Sequence, residues 1–107
     1  MEKRTEEQMA RLQMMEQNLQ QFLQQRQQFQ AQLMEVESAL EEIEKSPQAY
    51  KIVGNVMIVS EKNMLKKELT QKQEMLTIRI TSLEKQEEKV REKVESTRKE
   101  VMEKMKQ

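Results

Sequence analysis

The 107-residue sequence predicts a mainly α protein: a long antiparallel two-helix coiled coil joined by a single β-hairpin that assembles into an oligomeric β-barrel. Three observations predict it. Apolar residues recur in alternating steps of three and four over two long stretches, the heptad signature of a helix that buries a narrow stripe. Between these stretches lie two β-rich runs separated by Gly54-Asn55. The composition, 36% hydrophobic and 36% charged with 3% aromatic, holds too few large apolar side chains for a compact globular core.

The first helix is expected over residues 5–46. Its stripe runs from Leu12 to Ile43, and nine of its ten positions are apolar, Arg26 being the exception. Eleven Gln between Gln8 and Gln32 fall mainly outside the stripe and read as a solvated face. Thr5 and Gln8 have the spacing of a capping box, in which each side chain satisfies an orphan amide at the helix start. Pro47 ends the helix, because it has no amide proton and pushes Ser46 out of the α region.

Residues 47–60 form the second element. Tyr50-Lys51-Ile52-Val53 and Val56-Met57-Ile58-Val59 flank Gly54-Asn55, the only Gly in the chain. A two-residue hairpin turn needs positive φ at its first central position, which Gly supplies without steric cost. The second helix follows over residues 61–106, with Ser60 as its candidate N-cap and Glu61 in its first turn. Its stripe, from Leu69 to Lys104, is apolar at seven of eleven positions.

A turn this short returns the second helix alongside the first, with residue i facing residue 109 − i. The layers are then Leu12–Thr97, Met15–Val94, Leu19–Val90, Phe22–Glu87, Arg26–Leu83, Phe29–Ile80, Leu33–Leu76, Val36–Gln73, Leu40–Leu69 and Ile43–Lys66. Each pairs an a with a d position and none is polar on both sides. Two stripes read independently thus agree through one turn, which is support across levels for the fold. Arg26 and Glu87 interrupt their stripes one helical turn apart. They either pair across the seam or snorkel to water separately.

The hairpin alternates its side chains. Lys51, Val53, Val56 and Ile58 share one face; Tyr50, Ile52, Met57 and Val59 share the other. Seven of these eight are apolar. A lone hairpin is marginal in water, two helices cover at most one face, and both strand edges stay open. The sequence therefore predicts that the hairpin joins others in a shared sheet or barrel, as part of an oligomer. At the other end of the coil the methionines gather: Met1, Met9, Met14, Met15, Met102 and Met105. Met9, Met14, Met102 and Met105 lie off the a and d positions, and exposed Met suits surfaces that accept varied partners.

Other functions are excluded by composition. There is no His, Cys or Asp, so no thiolate, imidazole, ordinary zinc site or calcium loop is expected, and a single Gly cannot build a phosphate loop. No catalytic, cofactor or metal site is expected and the chain is read as not an enzyme. No apolar run approaches the ~20 residues that span a bilayer, and the N-terminus lacks an apolar signal core, so no membrane role is expected. The absence of Cys fits a cytoplasmic protein. With 19 basic and 19 acidic residues the formal charge is zero, which gives no overall drive toward nucleic acid. The basic residues Lys85, Lys89, Arg91, Lys93, Arg98 and Lys99 interleave with Glu and read as a solvated face.

The run Tyr50-Lys-Ile-Val-Gly-Asn-Val-Met-Ile58, set between two long heptad helices, resembles the β class of prefoldin subunits. The specific signal lies within residues 47–60; one hairpin between the helices, where the α class carries two, is also β-like. The resemblance implies an ATP-independent molecular chaperone subunit of a hetero-oligomer, two α and four β subunits if archaeal, whose hairpins build a double β-barrel platform. It implies coil tips that hold unfolded polypeptide clients and pass them to a group II chaperonin, with no cofactor. Tyr50, Ile52, Val53, Gly54, Val56, Met57, Ile58 and Val59 match the oligomerisation hairpin. Client contacts would fall on Met9, Leu12, Met14, Met15, Val101, Met102 and Met105. The alternative reading is a structural coiled-coil scaffold that links fixed partners and holds no clients.

Overall fold

The computed structural model describes residues 3–106. Met1, counted above among the tip methionines, lies outside them. The element order is α1 (Lys3–Lys45), β1 (Ala49–Val53), β2 (Val56–Ser60) and α2 (Lys62–Lys106). Both helices are rich in Gln, Glu, Lys, Leu and Met, which lose little side-chain freedom in a helix, and neither contains Gly or Pro. The chain divides into two compact units, one formed by Met1–Gln27 with Thr81–Gln107, the other by Gln28–Ile80.

In the terminal unit, Leu83, Glu87, Val94 and Val101 of α2 are buried against α1, where Leu12, Met15, Leu19 and Phe22 are half-buried. Arg98 pairs with Glu16 and Arg26 with Glu87, so numbers fall along one helix as they rise along the other. This is the antiparallel seam the heptads require. In the hairpin unit, Val36, Leu76 and Ile80 are buried, with Phe29, Leu33, Leu40, Ile43 and Leu69 half-buried around them. Glu44 pairs with Lys66, and the Arg79 guanidinium lies 5.5 Å from the Phe29 ring centre, a cation–π contact in the same antiparallel sense. Every a and d position of the two predicted stripes is withdrawn from full exposure.

The structure resolves the alternatives for Arg26 and Glu87. Arg26 Nε donates to Glu87 Oε1 at 2.6 Å, and the Glu87 side chain is only 7% exposed. That hydrogen bond, with the charges of Glu87 and Glu84, raises the Arg26 pKa against a smaller opposing effect of burial. A carboxylate withdrawn from water this far is tolerated only with a partner.

Two predicted caps are corrected. Thr5 is not an N-cap: the helix already runs from Lys3, and Thr5 and Gln8 continue the a and d stripe one heptad beyond Leu12 and Met15. Thr5 is buried there, and Gln8 bonds across the seam, its Nε2 donating to Glu100 Oε2 at 2.9 Å and its Oε1 accepting from Lys104 Nζ at 3.4 Å. Ser60 is not the cap of α2, because strand pairing with Ala49 holds it in β2. Glu61 takes that place, its carbonyl accepting the first helical bond from Leu65 N at 3.0 Å.

Leu76 is 2% exposed and Ile78, two residues on, is 69% exposed. Leu76→Ala is expected to cost about 2–4 kcal/mol in urea denaturation, and Ile78→Ala to stay within about 0.5 kcal/mol of wild type. Arg26→Ala is expected to lower the thermal midpoint, because it leaves Glu87 buried without its cation. The double variant Arg26→Leu/Glu87→Leu should recover or exceed the wild-type midpoint; calorimetry on both distinguishes a buried pair from two independent surface charges.

Candidate functional site

The hairpin is built on a tightly tied root. Ser46 N donates to Ile43 O at 3.2 Å and Ser46 Oγ to Glu42 O at 3.0 Å, closing the last turn of α1 before Pro47. Lys62 Nζ then reaches across from the first residue of α2 to the carbonyls of Glu44 and Ser46, at 3.4 and 3.1 Å. A cation thus satisfies carbonyls at the negative end of the α1 dipole. Lys66 draws the Glu44 carboxyl below its ordinary pKa, chiefly by a hydrogen bond and then by its charge. Ala49 is buried at the base of β1, and Lys51 Nζ meets Glu68 of α2 at 3.3 Å.

Above the root the ribbon is a two-stranded antiparallel sheet in the register expected. Tyr50 pairs with Val59, Lys51 with Ile58, Ile52 with Met57 and Val53 with Val56. Gly54 has φ of 61° and no other residue has positive φ among those described. Positive φ at the first central residue alone is the type II′ pattern, whose twist matches that of the strands. The register puts Lys51, Val53, Val56 and Ile58 on one face and Tyr50, Ile52, Met57 and Val59 on the other. All seven large apolar side chains of the ribbon are between 44% and 71% exposed. The coil therefore covers neither face. Tyr50 Oη donates to a local partner, Gln48 Oε1, at 2.7 Å. A mostly apolar groove of about 500 Å³ opens at the root, lined by residues including Ala39, Ile43, Ala49, Ile52, Leu65 and Leu69.

The terminal unit sorts the residues expected to meet clients. Met9, Met14, Met102 and Met105 are exposed, at heptad positions e, c, b and e. Leu12 and Met15 are half-buried in the seam, and Val101 is buried within it. Four of the seven are thus presented to solvent and three help to hold the helices together. Met34, Met64, Met75 and Ile78 of the hairpin unit are also exposed. Their off-stripe heptad positions were the available sequence signal.

Among the described residues no group of three or more His, Cys, Asp or Glu is placed to hold a metal ion, and no helix is long and apolar enough to cross a membrane. What the geometry offers is adhesive surface: apolar strand faces with open backbone edges in one unit, and flexible thioethers in the other.

Comparison with known proteins gives concordant matches. A family model described as prefoldin subunit matches residues 6–107. The prefoldin subunit beta of Archaeoglobus fulgidus is 48% identical over 48 residues, which is 45% of this chain and 41% of that protein. The matched stretch thus spans about two fifths of that relative's length. The crystal structure of the prefoldin beta subunit from Thermococcus strain KS-1 superposes with a TM-score of 0.89 at 32% identity, covering 95% of this chain and 92% of the other.

Proposed function

The chain belongs to the prefoldin subunit family, non-enzymatic chaperone proteins, and is a β-type member of it; from that premise we propose that it is an ATP-independent holding subunit of a hetero-oligomer. The observation that carries this reading is the ribbon, with seven large apolar side chains exposed over both faces and both outer strand edges unpaired among the described residues. Burying even half of that apolar surface is worth of order 5–10 kcal/mol, far more than an isolated ribbon of five-residue strands retains. The hairpin, through Tyr50, Ile52, Val53, Val56, Met57, Ile58 and Val59, pairs with those of further β-class copies and of α-class subunits. Gly54 sets its turn.

Met9, Met14, Met102 and Met105 supply an adaptable apolar patch on each coil end, with Leu12, Met15 and Val101 beneath them. One patch binds an unfolded segment weakly. Several patches facing one client raise the effective concentration, so that the client is held reversibly without nucleotide and released to a group II chaperonin. The second reading, a scaffold that holds no client, draws on the packing of Val101 into the seam.

Val53→Asp combined with Ile58→Asp places a charge on each strand of one face. It is expected to reduce the assembled mass in light scattering while leaving helical circular dichroism intact; an unchanged mass would reject the hairpin as the assembly element. Trimming residues 1–11 and 98–107 is expected to abolish suppression of client aggregation with the oligomer preserved. Full protection by the trimmed protein would remove the coil ends from the mechanism, and no protection by wild type would favour the scaffold.

A further inference from the structure

The two flanks of the terminal unit's seam differ in charge. On the flank formed by e and b positions the cations are matched: Arg98 Nη2 meets Glu16 Oε1 at 2.6 Å, and Arg91 Nη1 meets Glu88 Oε2 at 3.5 Å. The opposite flank is formed by g and c positions. Here Arg11 and Lys93 stand exposed with no carboxylate within ion-pair distance among the described residues, and Lys89 shares their flank. Between residues 11 and 25 the g and c positions hold Arg, Met and amides; between 86 and 96 they hold Gln86, Lys89, Lys93 and Ser96. None carries a negative charge. Further along the flank, toward the helix ends, Glu7 and Glu103 occupy c positions beyond the groove, and Glu100 at a g position is already engaged by Gln8.

A groove of about 530 Å³ opens on this flank. Arg11 and Lys93 rim it; Asn18, Ser96 and Thr97 offer amide and hydroxyl groups; Met15 and Val90 form an apolar floor. Cations without partners, neutral donors and an apolar floor together complement an extended chain that carries carboxylates beside apolar side chains. We propose that this groove binds acidic, apolar stretches of polypeptide. The inference rests on the client-holding reading and names the client chemistry: Arg11 and Lys93 meet carboxylates, and an adjacent Leu or Val packs on Met15 and Val90. A nucleic acid fits less well. Stacking platforms are missing, since the chain's two Phe and one Tyr lie outside the groove, and three cations neutralise few phosphates.

The test is fluorescence anisotropy with the intact chain and three probes: a labelled peptide alternating Glu with Leu, the same peptide with Lys for Glu, and an oligonucleotide of matching negative charge. The Glu peptide is expected to bind best, more weakly as salt rises. Arg11→Gln/Lys93→Gln should weaken it roughly tenfold, as the loss of two exposed charge contacts allows. Lys85→Gln/Lys99→Gln, at exposed f positions outside the groove, should leave it unchanged, with helical circular dichroism as the control for folding. Equal binding of the Lys peptide, stronger binding of the oligonucleotide, or indifference to Arg11→Gln/Lys93→Gln overturns the proposal. The aggregation assay separates the two readings. Protection of clients without preference for the Glu peptide sinks the groove alone, whereas preference for the Glu peptide without protection sustains the groove and sinks the holding role.

Discussion

A turn of two residues governs the hairpin unit. With only Gly54 and Asn55 between the strands, residue i must stand opposite 109 − i, and the observed pairs from Val53–Val56 to Ala49–Ser60 keep that register without a bulge. Strand side chains alternate with a period of two, so a slip of one residue would exchange the two faces of the ribbon. The same register delivers Lys62 to the end of α1, Lys66 to Glu44 and Arg79 to Phe29. Among the described residues Gly54 is the one position with positive φ, and no atom crowds the place of a side chain there. The requirement for Gly is conformational and not one of space.

Apolar residues are scarce, and their distribution divides the labour. Inside the coil the withdrawn ones lie mostly at a and d positions, with Leu23 and Leu65 beside them, which yields a narrow seam with Leu76 as its most completely buried large side chain among the described residues. The ribbon, by contrast, is apolar on both faces, with Ala49 buried at its root and Lys51 paired with Glu68 of the coil. A chain meant to persist alone would place such residues under cover. Their exposure is the structural counterpart of belonging to a family of subunits. The off-stripe methionines are a second, softer departure, in a side chain whose flexibility suits contact without fixed shape.

Polar residues within the seam act as markers of register. Arg26 with Glu87, and Gln8 with Glu100 and Lys104, satisfy one another only in a particular alignment of the helices of the terminal unit. An apolar layer tolerates a shift of one heptad; a buried carboxylate separated from its guanidinium does not. The terminal unit thus combines weak apolar layers with polar contacts that specify alignment.

Heptad spacing, Pro47 and Gly54-Asn55 determined the helices, the hairpin, its register and its two apolar faces, because these follow from local backbone geometry and from the phase of apolar residues. Helix ends were less legible. Thr5 and Ser60 carry the side chains of caps, yet the stripe draws Thr5 into the seam and strand pairing keeps Ser60 extended. Capping competes with tertiary contacts that a short motif does not encode. Only the tertiary structure decided that Arg26 pairs with Glu87, that Lys62 caps α1, and that Arg91 and Arg98 find carboxylates while Arg11 and Lys93 find none among the described residues. Long charged side chains reach several neighbours from any one heptad position, so the partner is chosen by the relative rotation and stagger of two helices and not by spacing along either one.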